Sequence, residues 1–287
     1  MNLLVAGLAS GAIYALVAIG VVLVYRTTSV VNFAQGELLM LGAFAFSITS
    51  AHSSNPAIQM FAAIAVGVAG GLISFLVTHV FLGRSSELAQ VIGTLAIAIL
   101  AQSLMRIQFT DVPRPAPAWV FGDAKVKIGS ENVTFNSILA LIVALALTAL
   151  LVLLLQRSGP GRSVRAVAES HWYAALSGVK VRRALAISWA AGGAFAAIGG
   201  VFLVPVTGSF PSMGTQILFP AVTAAFLGGL TSITGALVGG LVLGVAETYA
   251  VYFVGGAFQG IAVFGLVLAI LLLRPTGLFS SLTVRRV

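Results

Sequence analysis

Long apolar stretches, interrupted at intervals by one charge or a short polar cluster, dominate this chain. No Asp, Glu, Lys or Arg occurs in 2–25, 38–83, 88–105, 132–156, 184–246 or 248–273. A helical membrane span needs about 20 apolar residues. The first, third, fourth and sixth runs fit one span each. The second fits two, around the polar break His52-Ser53-Ser54-Asn55-Pro56, and 184–246 fits two, or three with tight turns. The pattern predicts an all-α fold: a polytopic integral membrane helical bundle of eight or nine membrane segments. They fall at about 3–25, 34–51, 57–82, 88–107, 136–156, 184–205, 217–231, 234–253 and 257–273. The runs are continuous, unlike the ten-residue alternating segments of an outer-membrane barrel.

Composition strengthens this picture. Of 287 residues, 59% are hydrophobic and 8% charged, where a soluble domain carries about 25% charged residues. Such a chain cannot cover itself with a solvated surface, and its hydrophobicity excludes disorder. The N-terminal run has no preceding basic residue and no small-residue cleavage site, so it reads as a first span and not a removable signal. The net charge of +8 sits in loops at membrane edges, which points to cytoplasmic anchoring and not to nucleic acid. With the N-terminus outside, the cytoplasmic side receives Arg26, Arg84, Arg157, Arg162, Arg165, Lys180, Arg182, Arg183, Arg274, Arg285 and Arg286. The external side receives Arg106, Arg114, Lys125 and Lys127. The positive-inside rule therefore predicts N-out and C-in. That orientation needs an odd number of full crossings: nine, or seven with re-entrant segments.

Two loops are long enough to carry function, and residues 1–287 read as a single transmembrane domain around them. The external loop, about 108–135, is proline-rich and alternates enough over 120–133 to predict a short hairpin. The internal loop, about 157–183, opens with the turn signal Ser158-Gly159-Pro160-Gly161. A short helix is expected over 163–177, with Gly178 as its C-terminal stop. Val167, Trp172, Ala175, Leu176 and Val179 can share one face of it, suited to a groove on a cytoplasmic partner or to the bilayer surface. Gly-x-x-x-Gly spacings at 7/11, 67/71, 235/239, 240/244 and 256/260 predict close helix–helix contacts.

Recognisable catalytic chemistry is sparse. There is no Cys, hence no disulfide or thiolate site. No phosphate-binding Gly-x-x-x-x-Gly-Lys-Ser/Thr loop occurs, so the chain is not expected to hydrolyse ATP. His52, His79 and His171 are far apart in sequence, which disfavours a metal site, and no acid–base set marks an enzyme. Ionisable groups at membrane depth call for a functional reading. Glu37, after Asn32-Phe33-Ala34-Gln35-Gly36, reads either as a carboxylate favoured by a helix N-terminus or as part of a broken-helix entrance organised with Asn32 and Gln35. Glu247 reads either as a structural lock, for which Arg106 is one possible partner, or as a pathway group. So few buried charges argue against a proton- or sodium-driven carrier.

The internal loop also resembles a known family. Arg165-Ala166-Val167-Ala168-Glu169 and Gly178-Val179-Lys180-Val181-Arg182-Arg183 are similar to the coupling segment of the branched-chain amino acid ABC-importer permeases of the Liv type. Further matches follow in register: Gly11-Ala12-Ile13-Tyr14-Ala15-Leu16, Val31-Asn32-Phe33-Ala34-Gln35-Gly36-Glu37, the glycine-rich 188–200, Leu227-Gly228-Gly229-Leu230-Thr231-Ser232-Ile233-Thr234-Gly235-Ala236, and Arg274-Pro275-Thr276-Gly277-Leu278-Phe279. The short N-terminal lead favours the LivH-like over the LivM-like half.

The resemblance implies a permease of the bacterial inner membrane. It would pair with a second, LivM-like permease or with its own copy. Two cytoplasmic ATPases would bind ATP and Mg, this chain holding no cofactor itself, and an external binding protein would deliver substrate, with 108–135 as its docking surface. Arg165, Glu169, Trp172, Ala175, Leu176 and Gly178 would contact the ATPases. Asn32, Gln35, Glu37, Thr94 and Glu247 would lie in the pathway or gate. Gln35, Thr231 and Ala96 depart from the family's frequent His, Gly and Gly. The resemblance leaves the substrate among branched-chain amino acids, urea, short amides and small organic acids, and a pathway with few charges suits a hydrophobic amino acid or a neutral amide. A stand-alone channel or carrier, a non-transporting scaffold and a membrane enzyme are the competing readings.

Overall fold

A computed structural model of the chain describes residues 2–83, 85–114, 125–128, 131–256, 260, 265, 268–269, 272 and 277–279. Its main helices are α1 (Asn2–Thr28), α2 (Gln35–Ser50), α3 (Pro56–Phe75), α4 (Glu87–Gln108), α5 (Phe135–Arg157), α6 (Gly159–Glu169), α7 (His171–Leu176), α8 (Val181–Thr207), α9 (Met213–Gly228) and α10 (Ile233–Val254). A wider π-helical turn, Leu76–Phe81, extends α3. Polar residues that punctuate the apolar runs become caps. Asn55, Ser86, Ser158, Ser170 and Ser232 each accept a backbone N–H at the start of α3, α4, α6, α7 and α10, satisfying donors that a helix start leaves unpaired.

Among the described residues, six helices are long and apolar enough to cross a membrane: α1, α3 with its extension, α4, α5, α8 and α10. The 184–246 run holds three helices. Two expected segments, 34–51 and 217–231, correspond to α2 and α9, of 16 residues each. At 1.5 Å per residue they are about 24 Å long, short of a hydrocarbon core of about 30 Å. The expected span 257–273 lies largely outside the described residues, as do Arg84, Arg274, Arg285 and Arg286. The hairpin forms between Lys125–Ile128 (β1) and Glu131–Thr134 (β2), antiparallel with Lys125 opposite Thr134. Residues 115–124 and 129–130 of the same loop, including Trp119 and Asp123, lie outside the described residues.

An internal repeat organises the bundle. A 27-residue helix, a break, a 16-residue helix and a third helix occur as α1–α2–α3 and again as α8–α9–α10. The breaks, 29–34 and 208–212, begin at residues with positive φ, Ser29 and Gly208. α1 and α8 run antiparallel, with Gly20 against Gly192 and Val17 against Gly199. α10 packs along α1 and α3 along α8, so the two halves exchange their third helices. The core runs along α1, α2 and α8, with Trp189, Phe44, Phe46 and Phe202 almost wholly buried.

Four of the five Gly-x-x-x-Gly pairs face another backbone. A Cβ on Gly244 would lie 2.3 Å from Gly11 N and 2.4 Å from Gly7 O, whereas Gly256 and Gly260 have nothing within 4 Å among the described residues. Backbone cannot yield as a flexible side chain does, so a larger residue must separate α1 from α10. Gly244→Leu is expected to cost about 3 kcal/mol or more and to abolish the monodisperse peak in detergent size-exclusion chromatography. Gly260→Leu should leave that peak unchanged.

One expectation is corrected. The helix over 163–177 is two helices, because Ser170 is extended (φ −162°, ψ 121°). The Ser158-Gly159-Pro160-Gly161 signal starts α6 and makes no separate turn: Ser158 Oγ accepts from Gly161 N at 3.0 Å, and proline is tolerated in a first helical turn.

Candidate functional site

The first assembly lies where the two short helices begin. Asn32 closes a local turn, its Oδ1 accepting from Ala34 N at 3.1 Å. Its Nδ2 donates to Gln35 Oε1 at 3.1 Å, and Gln35 Nε2 donates to the Gly192 carbonyl of α8 at 2.7 Å. Thr94 of α4 accepts from Phe33 N at 3.1 Å. Asn32, Gln35 and Thr94 are therefore brought together and buried, and they hold the break before α2.

Glu37 sits one step further along. Its Oε1 accepts from Thr215 Oγ1 at 3.2 Å, and Oε2 has no hydrogen-bond partner among the described residues. Gly36 and Gly214 bring the two backbones together; a Cβ on Gly36 would lie 2.3 Å from the Gly214 carbonyl. Gln102 of α4 donates to Thr215 Oγ1 at 3.1 Å. α2 and α9 thus direct their N-terminal ends at one buried carboxylate, and neither has a side-chain cap of its own. A negative charge is favourable at each such end. Glu37 occupies the first turn of α2 and lies between the starts of α2 and α9.

Glu247 is elsewhere. It is buried on α10 and hydrogen-bonded to Tyr14 of α1. Arg106, the suggested partner, lies on α4, which packs on α2 and the π turn, and it pairs with Asp111 at 3.3 Å. Thr215 and Gln102 complete the junction and were missed in the sequence, since neither carries charge or a motif. The internal repeat is the signal that locates Thr215, as the counterpart of the start of α2.

The second assembly is α6–α7, at the end of the bundle where α1 and α5 finish and α8 begins. Val164 and Val167 are buried against the bundle. Arg165 and Glu169 are exposed, and Arg165 donates to the Gln156 carbonyl at 3.3 Å. His171 Nε2 lies 2.6 Å from the Thr27 carbonyl at the end of α1. Trp172, Tyr173 and Leu176 are each about 70% exposed, and Ala175 is exposed beside them. The single face expected for Val167, Trp172, Ala175, Leu176 and Val179 is therefore corrected. The break at Ser170 buries Val167 and turns the α7 residues outward, leaving Val179 half-buried.

Gly178 ends α7 as expected, with φ +78°. Its N–H reaches the Ala175 carbonyl and Val179 N–H reaches the Ala174 carbonyl, both at 3.0 Å. This pair of bonds is the Schellman stop.

The described residues thus form an α-helical bundle with two short central helices and, at one end, a helix pair that presents exposed aromatic and aliphatic side chains. Residues 3–274 match the family described as branched-chain amino acid transport system / permease component, and the chain belongs to that family. It is 32% identical to the high-affinity branched-chain amino acid transport system permease protein BraD of Pseudomonas aeruginosa, over 99% of this chain and 97% of that protein. It is 30% identical to the corresponding protein LivH of Salmonella typhimurium, over 98% and 96%. The fold is also similar to PsaBC from Streptococcus pneumoniae, solved in complex with Fab. There the TM-score is 0.51 at 13% identity, covering 96% of this chain and 91% of that one.

Proposed function

We propose that this chain is the pathway subunit of a bacterial inner-membrane ABC importer that moves branched-chain or other hydrophobic amino acids inward. Two cytoplasmic ATPases drive it, and they alone bind ATP and Mg. A second permease, LivM-like or an identical copy, completes the pathway, and an external binding protein delivers substrate. The N-terminus lies outside, and the end bearing α6–α7 faces the cytoplasm. Arg26, Arg157, Arg162, Arg165, Lys180, Arg182 and Arg183 all belong to that end, as the positive-inside rule requires.

One observation carries this reading. α7 holds Trp172, Tyr173 and Leu176 in the open on a helix fixed at both ends, by His171 and by Gly178. Exposed apolar side chains on a rigid scaffold beyond the apolar spans suit a protein groove. Movement of that groove on ATP binding would pass to α1 through the Thr27 contact and to α8 through the tight turn at Gly178. Asn32, Gln35, Glu37 and Thr94 would respond as the inner joint of the pathway, and Glu247 through α10.

Tagged chain purified from its native cell in mild detergent should bring down two ATPases and a second permease copy. The reconstituted complex should take up radiolabelled L-leucine only with ATP and binding protein. Uptake of urea or a short amide in its place would redirect the substrate. ATP-independent flux by the chain alone would overturn the importer reading. Truncating Trp172 and Leu176 to Ala together should remove the apolar anchors at about 2 kcal/mol or more each. ATPase recovery should fall at least tenfold, with the yield of folded chain unchanged.

A further inference from the structure

The loop after α4 is fastened to the bundle at the second helix break. Arg114 N–H donates to the Ser209 carbonyl at 3.0 Å, and Ser209 N–H donates back to the Arg114 carbonyl at 2.9 Å. This antiparallel pair is an isolated bridge. Gly208 permits it: φ is +74°, and a Cβ there would lie 2.6 Å from the Arg114 carbonyl oxygen. Glycine suits both the conformation and the close approach. A second fastening lies earlier in the loop. The Phe109 ring stacks on the buried Phe44 of α2, with centroids 4.8 Å apart, and the Arg114 guanidinium carbon lies 4.4 Å from the centre of the same ring. Arg106–Asp111 ties this strap to the end of α4. Gln102 of α4 reaches the Pro211 carbonyl of the break at 3.5 Å, besides its bond to Thr215. Strap and helix end therefore approach the Glu37 junction from the side opposite α6–α7.

These fastenings are few. Gly93 and Thr94 are the buried residues of α4, so helix and strap gain little from apolar packing within this chain. Ser209 is wholly buried, and its Oγ has no hydrogen-bond partner among the described residues. A buried unpaired hydroxyl is costly. Lifting the strap lets that hydroxyl bond to water, which offsets part of the loss of two backbone bonds. The closed arrangement is thus held by a small margin.

We propose that residues 109–114 are a strap that closes the outer end of the pathway, and that Arg114 parts from Ser209 each time the pathway opens outward. Phe109 and Arg114 are then positioning residues of the outer gate, an assignment that rests on the importer reading. A binding protein seated on the same external loop would act on the strap directly, and the strap on the break before α9.

The chain has no cysteine, so Arg114→Cys with Ser209→Cys supplies the two thiols of the complex's tested chain. Opposite residues of such a pair have Cα atoms about 5.5 Å apart, within reach of a short bis-methanethiosulfonate, and dithiothreitol reverses the link. In the reconstituted complex, linking should lower ATP-driven leucine uptake at least tenfold, with recovery on reduction. Each single variant should be indifferent to the reagent. Binding protein with MgATP should slow the linking several-fold. Arg114→Ala keeps the backbone bonds and removes the cation–π contact. Since the outer gate and the ATPases share one cycle, ATP hydrolysis without binding protein should rise about two- to fivefold, a gain that misfolding would not produce. Uptake by the linked pair equal to that of the unlinked pair would overturn the strap and leave the importer standing. A linking rate that responds to binding protein and MgATP in a complex that moves no leucine would overturn the substrate reading and keep the strap. A linking rate indifferent to both, in a complex that does take up leucine, would end the proposal.

Discussion

Gly178→Val should abolish ATP-driven uptake while the chain still inserts and folds. Gly178 holds φ +78°, and a Cβ built there meets nothing within 4 Å. Crowding is therefore not the obstacle; the backbone conformation is. A left-handed conformation costs an ordinary residue about 1–2 kcal/mol, and a β-branched residue more. About 2 kcal/mol is about thirtyfold in the population of the closed turn. Without the turn, Val179 N–H loses its bond to Ala174 and α7 loses its fixed angle to α8. The order of uptake should be Gly, Asn, Ala, Val, because Asn tolerates left-handed backbone better than Ala. A steric cause would instead rank the variants by size and set Ala above Asn. Uptake in Gly178→Val equal to wild type would remove α7 from the coupling path. The measurement is binding-protein-dependent leucine uptake, normalised to folded transporter.

Much of this architecture was legible because the bilayer allows few solutions. Charge-free runs of span length become helices when lipid offers no other partner for backbone groups, and the bounds of α1, α3 with its extension, α4, α5 and α10 fall within a few residues of the expected segments. Glycines four apart marked the α1–α10 and α3–α8 contacts, since only their backbones could approach so closely. Gly178 was legible because few residues serve as such a stop. The break at Ser170 was not. Serine within an amphipathic stretch gives no periodicity signal, and its role as the cap of α7 depends on an extended conformation chosen in the fold. The same limit hid the partners of the buried acids. Burial of Glu37 and Glu247 could be read from their neighbours, but Thr215 and Tyr14 come from α9 and α1, and only packing sets those distances. The internal repeat was also hidden, because its halves share helix lengths and breaks more than residues.

That repeat gives the junction its meaning. Discontinuous helices whose N-terminal ends meet inside a membrane mark the binding and gating region in many transporters. Here the ends of α2 and α9 meet through Gly36, Gly214, Glu37 and Thr215. Exchanged third helices tie each break to the opposite half, so a tilt of one half against the other must be taken up at the breaks. The α6–α7 end touches α1 before one break and leads into α8 before the other. On the proposed function, a pull on α7 would therefore reach both sides of Glu37.

Glu37→Gln should separate packing from transport. Gln keeps the shape and can still accept from Thr215 Oγ1, so folded yield should stay within twofold of wild type. What it removes is the ability to carry a negative charge between two helix ends. Each favourable charge–dipole contact of this partly buried kind is worth about 1–2 kcal/mol, so losing both shifts the junction's equilibrium by about thirtyfold to several hundredfold. Leucine uptake should fall by at least tenfold, with ATPase binding intact. Glu37→Lys places a cation against both positive ends and should abolish folding and uptake together. Thr215→Val, which leaves Glu37 Oε1 without its donor, should lower uptake in the same direction as Glu37→Gln and by less. If folded yield and uptake decline in step in Glu37→Gln, the carboxylate is a packing element of α2. Undiminished yield with lost uptake makes it the joint on which the pathway turns. The comparison needs one uptake assay and one chromatographic profile for each variant.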